Sequence, residues 1–152
     1  MLQVKYPHIG ATPDGYVTCK CCGFGVLEIK CPASFRAEPL AAMISRRSFC
    51  LKNQDGDFIL QRNHQYFYQV QAQMFICQAN YCDFVVWGIA EMALINVKPD
   101  KSFMEDVMTR VSTFHRLCVM PELVGKYFSK QFTCLPDPAA SAMLSQSETP
   151  AT

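Results

Sequence analysis

The chain has 152 residues, half of them apolar, and fourteen basic against thirteen acidic side chains leave a net charge of +1. That length suffices for one substantial core and falls short of two ordinary domains, and so small a net charge excludes a protein held on nucleic acid by charge alone. No apolar run reaches the roughly eighteen residues of a membrane span, and Met1 to Gly10 lacks a basic stretch followed by an apolar leader.

The expectation is therefore a soluble intracellular protein with no membrane partner, nuclear in a eukaryote and cytoplasmic otherwise. The nine cysteines are an odd number in a chain rich in apolar residues, which favours reduced thiols over a disulfide scaffold.

Along the chain, Thr12-Pro13-Asp14-Gly15 predicts a turn, with proline presetting one backbone angle and glycine free to take a positive φ. A short strand over Tyr16–Thr18 follows, then a Cys- and Gly-containing connection over Cys19–Gly25. A second strand over Val26–Cys31 is ended by Pro32. Within 33–47 a short helix is expected with Pro39 near its start. Phe49–Lys52 and Phe58–Gln61 flank Asn53-Gln54-Asp55-Gly56-Asp57 as a hairpin. Asn63–Ala79 contains neither proline nor glycine and sets Phe67, Val70, Met74 and Cys77 at helical spacing, with Gln65, Gln69 and Gln73 on the other face.

Tyr81–Gly88 and Ile89–Val97 predict two strands, the first apolar enough to be central. Helices are expected over Lys101–Leu117 and Pro121–Lys130, and a disordered tail over 135–152, rich in Pro, Ala, Ser and Thr. The fold class is α/β, a mixed central sheet flanked by helices.

Two positions apart on one strand, Glu28 and Lys30 share a face of the sheet, and the Asp14 turn brings a second carboxylate into the same region. Two carboxylates with backbone and water oxygens suit Mg²⁺ or Mn²⁺, which keep their waters and accept phosphate oxygens. A lysine beside such a metal orients the attacking water and stabilises charge on the phosphate. The chemistry that fits is phosphodiester hydrolysis.

The bland alternative is a surface salt bridge on an edge strand. The apolar neighbours Val26, Leu27, Ile29 and Cys31 argue against it, because charges on a core strand require partners or a metal. Lys20, Lys30, Arg36, Arg46, Arg47, Lys52 and Arg62 make up half of the basic residues and suggest a local basic groove, for which a solvated face is the competing account.

Ile9-Gly10-Ala11-Thr12-Pro13-Asp14-Gly15, Gly25-Val26-Leu27-Glu28-Ile29-Lys30-Cys31-Pro32 and Tyr66-Phe67-Tyr68-Gln69-Val70-Gln71-Ala72-Gln73-Met74 occur in that order. With Cys82-Asp83-Phe84-Val85-Val86-Trp87 and Met120-Pro121-Glu122-Leu123, this set resembles the YqaJ-like viral recombinase family over about residues 6–128. These are relatives of lambda exonuclease with PD-(D/E)xK cores.

The resemblance implies a restriction-endonuclease-like nuclease core over residues 1–134, working with Mg²⁺ or Mn²⁺ on duplex DNA ends. It also implies assembly as a homo-oligomer, a trimer in some relatives, and work beside a single-strand annealing protein. By position it makes Asp14 and Glu28 metal ligands together with the Ile29 main-chain carbonyl, Lys30 the catalytic lysine and Gln69 a supporting amide. Gln73, Arg62 and Tyr66, on or beside the same helix, are the candidate DNA contacts. The family normally has helices before the Pro-Asp-Gly turn, where this chain has thirteen residues before Asp14. An inactive DNA-binding or assembly remnant therefore stands as an alternative, and so does an endonuclease, since the same metal core serves attack at ends and at internal bonds.

Cys19, Cys21 and Cys22, with Cys31 and His8, raise zinc as a competing cofactor. The Cys-x-Cys-Cys spacing lacks the paired Cys-x-x-Cys knuckles of structural sites, and no zinc is expected. His64 and His115 are expected to be satisfied surface or core histidines, Trp87 a core residue, and the methionines ordinary packing.

Overall fold

The computed structural model describes residues 2–3, 5–33 and 38–133, with side chains from Lys5 to Ala33 and Glu38 to Lys130. Arg36 and the expected tail over 135–152 lie outside the described residues. Among the described residues the chain divides into two compact units, one up to Val107 and one from Met108.

The first unit opens with strands β1 (Leu2–Gln3) and β2 (Tyr6–Gly10), paired antiparallel. No strand was expected there, because the segment is short and polar in part. It gains its support from tertiary contact, the Tyr6 ring lying 5.9 Å from that of Phe75.

Strands β3 (Gly15–Cys19) and β4 (Gly23–Lys30) form an antiparallel hairpin registered from Gly15↔Leu27 to Cys19↔Gly23. β4 starts three residues before the expected Val26, in a stretch that its glycines marked as a connection. Gly25 is glycine for a different reason: a Cβ there would come within 2.5 Å of the Tyr81 ring, and Tyr81 is itself buried. Gly25→Ala is therefore expected to displace that ring and lower unfolding stability by about 1–2 kcal/mol. Chemical denaturation with the slope held in view checks this.

β4 runs parallel to β7 (Cys82–Trp87), from Val26↔Cys82 to Lys30↔Val86, and β7 pairs antiparallel with β8 (Met92–Val97). The mixed sheet has the order β3-β4-β7-β8, and β7 is central as its apolar run suggested. A parallel pair requires a crossover. Here it contains helix α1 (Leu40–Ile44), hairpin β5 (Leu51–Gln54) and β6 (Asp57–Leu60), and helix α2 (Gln65–Cys77). The β5–β6 turn is the two-residue Asp55-Gly56, with φ of 56° and 95°, the doubly positive pattern of a type I′ turn.

Val26, Phe84, Val86, Ala93, Ile95 and Val97 on one sheet face pack into a core with Val70, Met74 and Cys77 of α2 and with Leu51 and Leu60 of the hairpin. On the other face Ile29, Trp87, Met92 and Leu94 are exposed. Trp87 is thus a surface residue rather than the core residue expected, because β7 alternates and its even-numbered positions face inward.

His64 begins α2, its Nδ1 accepting a hydrogen bond from the Tyr66 N–H at 3.2 Å. Burial pulls this imidazole below its ordinary 6.5, which keeps the ring neutral and able to accept. Protons then bind the unfolded chain more readily than the folded one. The stabilisation is complete above 6.5 and is lost as pH falls from there through the folded value. Wild type minus His64→Asn, which keeps a cap without titrating, is expected to show a melting-temperature difference that shrinks below pH 6.5. Paired thermal melts across pH check it.

Gln71, which is 1% exposed, donates to the Lys98 carbonyl and accepts from the Asp100 N–H, each at 2.8 Å, fixing the approach to helix α3 (Lys101–Phe114). Asp100 caps that helix through Phe103 N–H and Ser102 Oγ. These two hydrogen bonds, the Phe103 one foremost, hold its carboxyl below the ordinary range.

In the second unit, a π-helical turn over His115–Val119 leads into α4 (Met120–Gly125) and then α5 (Tyr127–Thr133). Pro121 has no N–H to offer the preceding turn, and the widened turn, closed by Met120 N–H to the His115 carbonyl, absorbs that gap. Lys126 takes a left-handed φ of 49° and separates α4 from α5, where one helix had been expected. Glu122 bridges the break by accepting from the Phe128 and Ser129 N–H groups.

Candidate active site

Glu28 points from β4 into the core face of the sheet and is 2% exposed. Three donors hold it. Lys30 Nζ and Gln69 Nε2 reach Oε1 at 2.5 and 2.6 Å, and Gln73 Nε2 reaches Oε2 at 2.7 Å. Spacing explains the convergence: residues two apart on a strand share a face, and residues four apart on α2 share another. The crossover lays the helix face onto the strand face.

Asp14 stands at the exposed turn just before β3 and accepts the Ile29 N–H through Oδ2 at 2.7 Å. The register that places Gly15 opposite Leu27 brings Asp14 beside Glu28 and Ile29. Asp14, Glu28, Ile29, Lys30 and Gln69, five positions spread over fifty-six residues of sequence, are thus gathered at one end of the β3–β4 hairpin.

The donor chemistry fits a hard divalent cation. A carboxylate offers about four lone-pair positions; three on Glu28 are taken, and one on Oε2 remains. Asp14 keeps Oδ1 outside its bond to Ile29. Gln73 Oε1 is buried and has no hydrogen-bond partner among the described residues, and an orphan acceptor beside a carboxylate marks a place for water or a cation.

The candidate DNA contacts fare differently. Gln73 is 2% exposed and spends its amide on Glu28, so it supports the carboxylate and offers no surface to DNA. This corrects the reading of Gln73 as a candidate DNA contact. The α2 face carrying Gln69 and Gln73 looks polar in sequence yet lies against β4. Its signal was available in the four-residue spacing of the two glutamines, but the buried acid that needs them is on another element.

Tyr66 is half-buried, with Lys30 Nζ 4.8 Å from its ring centroid and the Phe84 ring at 5.9 Å. It flanks the lysine. Arg62 is exposed and pairs with Asp100 at 2.7 Å. Arg46 pairs with Glu38 and Lys30 with Glu28, so the expected basic groove is, at these three positions, a set of ion pairs. Lys20 lies at the far turn of the hairpin.

At that far turn Cys19, Cys21 and Cys22 come together. The Cys19 thiol is drawn down to about 7, chiefly by its hydrogen bond with Cys21, and Cys22 is pushed up to about 11, again chiefly through Cys21. Burial pushes the Cys50 and Cys82 thiols up to about 11 and about 12.

A mixed α/β sheet carrying a carboxylate pair, a lysine and two supporting amides is the class of architecture present. The chain belongs to the YqaJ-like viral recombinase domain family, whose model matches residues 1–80. That span contains Asp14, Glu28, Lys30, Gln69 and Gln73 and stops before β7, short of the residues 6–128 over which the motifs were read. The family is one of viral recombinases, of nuclease type and interacting with DNA. No curated protein and no solved structure gave a significant match. Among the described residues no helix is long and apolar enough to cross a membrane.

Proposed function

We propose that this chain hydrolyses phosphodiester bonds at the ends of duplex DNA, as the nuclease of a recombination system. The observation that carries the reading is Glu28, a carboxylate held almost out of solvent by one lysine and two amides with Asp14 adjacent. Structure alone has little use for such a charge, since an apolar residue there would be no less stable.

Asp14, Glu28 and the Ile29 carbonyl would hold Mg²⁺ or Mn²⁺, which when bound supplies Lewis acidity toward a phosphate oxygen and toward water. The chain's own groups do the rest. The Lys30 ammonium lies against Glu28 and stabilises charge developing on the phosphate. Gln69, having given its Nε2 to Glu28, keeps Oε1 to accept from the attacking water. Gln73 fixes the rotamer of Glu28 from below. Most contacts to DNA are to phosphates rather than base edges. A homotrimer threading the duplex and a single-strand annealing partner belong to the same reading.

The test is digestion of linear and closed circular duplex DNA in Mg²⁺ and in EDTA, beside Glu28→Ala and Lys30→Ala. Metal-dependent loss of the linear form alone, absent in both variants, supports the proposal. Cutting of the circle gives an endonuclease. With neither form cut, and melting temperature unmoved by millimolar Mg²⁺ or Mn²⁺, the reading falls to a DNA-binding or assembly remnant.

A further inference from the structure

The β3–β4 hairpin ends in two donor sets of opposite character. Glu28 lies five residues along β4 from Gly23, or about 16 Å at the rise of an extended strand. Oxygen donors gather at the Glu28 end. At the other, the Sγ atoms of Cys19, Cys21 and Cys22 lie within 4.8 Å of one another, Cys19 to Cys21 at 2.9 Å and Cys21 to Cys22 at 3.3 Å.

We infer that this turn is a three-thiolate site for a soft, thiophilic cation, with monovalent copper the best match. An ion about 2.3 Å from each of three sulfurs in a trigonal plane sets them about 4 Å apart. The observed separations reach that spacing with shifts of about 1 Å in side chains that are exposed or half-buried.

The turn backbone is held independently of any ion. Asn80 Nδ2 donates to the Cys22 carbonyl at 3.2 Å, and Asn80 N–H donates to the Phe24 carbonyl at 2.8 Å. Gly23 takes a φ of 77°, and a Cβ there would meet Asn80. The sulfurs therefore converge on a fixed scaffold.

Coordination number selects the ion. Among the described residues the metal-ligating group at this turn consists of the three cysteines alone. Structural zinc almost always takes four protein ligands. Thiolates in threes suit copper(I), whose preference for soft sulfur donors is strong. This agrees with the absence of paired Cys-x-x-Cys knuckles in the sequence.

The cysteines lie outside the carboxylate–lysine site, and the inference stands or falls apart from the nuclease reading. The purified 152-residue chain, kept reduced without oxygen, is titrated against copper(I) held by the coloured chelator bicinchoninate. One equivalent per chain is expected to leave the chelator, with copper-edge X-ray absorption showing three sulfur neighbours. Cys19→Ser and Cys21→Ser should each weaken retention at least tenfold, while Cys31→Ser and Cys118→Ser leave it unchanged. Metal-free melts of the two site variants, whose cysteines make no core contact, should match wild type.

Equal copper uptake by wild type and a Cys19→Ser/Cys21→Ser/Cys22→Ser variant overturns the site. Stoichiometric zinc binding in preference to copper overturns the assignment of the ion.

Discussion

Lys30→Ala is expected to lower folding stability by about 2–4 kcal/mol and nuclease activity by at least about a hundredfold. The two losses have one origin. Glu28 is 2% exposed, and Lys30 is the only cation within salt-bridge distance of it among the described residues. Removing that cation leaves a buried carboxylate with two amide donors, Gln69 and Gln73, and no opposite charge. Because the amides remain, the loss falls below that of a bare buried charge.

The same logic predicts a compensation. A divalent cation drawn to Asp14 and Glu28 restores the missing charge, so millimolar Mg²⁺ should raise the melting temperature of Lys30→Ala by more than that of wild type. Thermal melts with and without metal measure the stability arm, and digestion of linear duplex DNA measures the other. A variant as stable as wild type would mean that Glu28 turns to solvent and that the buried site does not exist in solution.

Gln73→Leu carries the second largest expected effect. Its amide is the only donor to Glu28 Oε2 among the described residues, and a hydrogen bond to a charged acceptor contributes roughly 1.5–3 kcal/mol. Loss of the orphaned Oε1 offsets part of this, so about 2 kcal/mol should remain.

Kinetics separate the two roles this residue has been given. A buried support for Glu28 predicts a fall in kcat with KM for DNA unchanged, whereas a direct phosphate contact predicts a rise in KM. Steady-state digestion of linear DNA by Gln73→Leu decides between them, and Gln73→Asn, whose shorter amide falls short of Oε2, should behave like the leucine variant.

How much of this was legible in sequence varies with the range of the interaction that fixes each feature. Local pattern sufficed for the Asp55-Gly56 hairpin, the α2 segment, the β7 run and the Glu28-Ile29-Lys30 strand, because turn chemistry, helical spacing and strand alternation depend on neighbours a few residues away. The carboxylates and the lysine were likewise readable as a set, and Gln69 joined them through the family resemblance.

Tertiary structure alone decided that Gln73 lies beneath Glu28, since a glutamine's burial depends on an acid forty-five residues earlier in the chain. It decided that Gly25 is a strand residue, because the reason is the Tyr81 ring lying across it. It placed Trp87 at the surface, as sheet alternation overrides an apolar run. It also gathered three cysteines that, by spacing alone, formed no recognised metal motif. In each case the deciding partner lies far along the chain or depends on how a turn folds, and the residue type by itself is compatible with both outcomes.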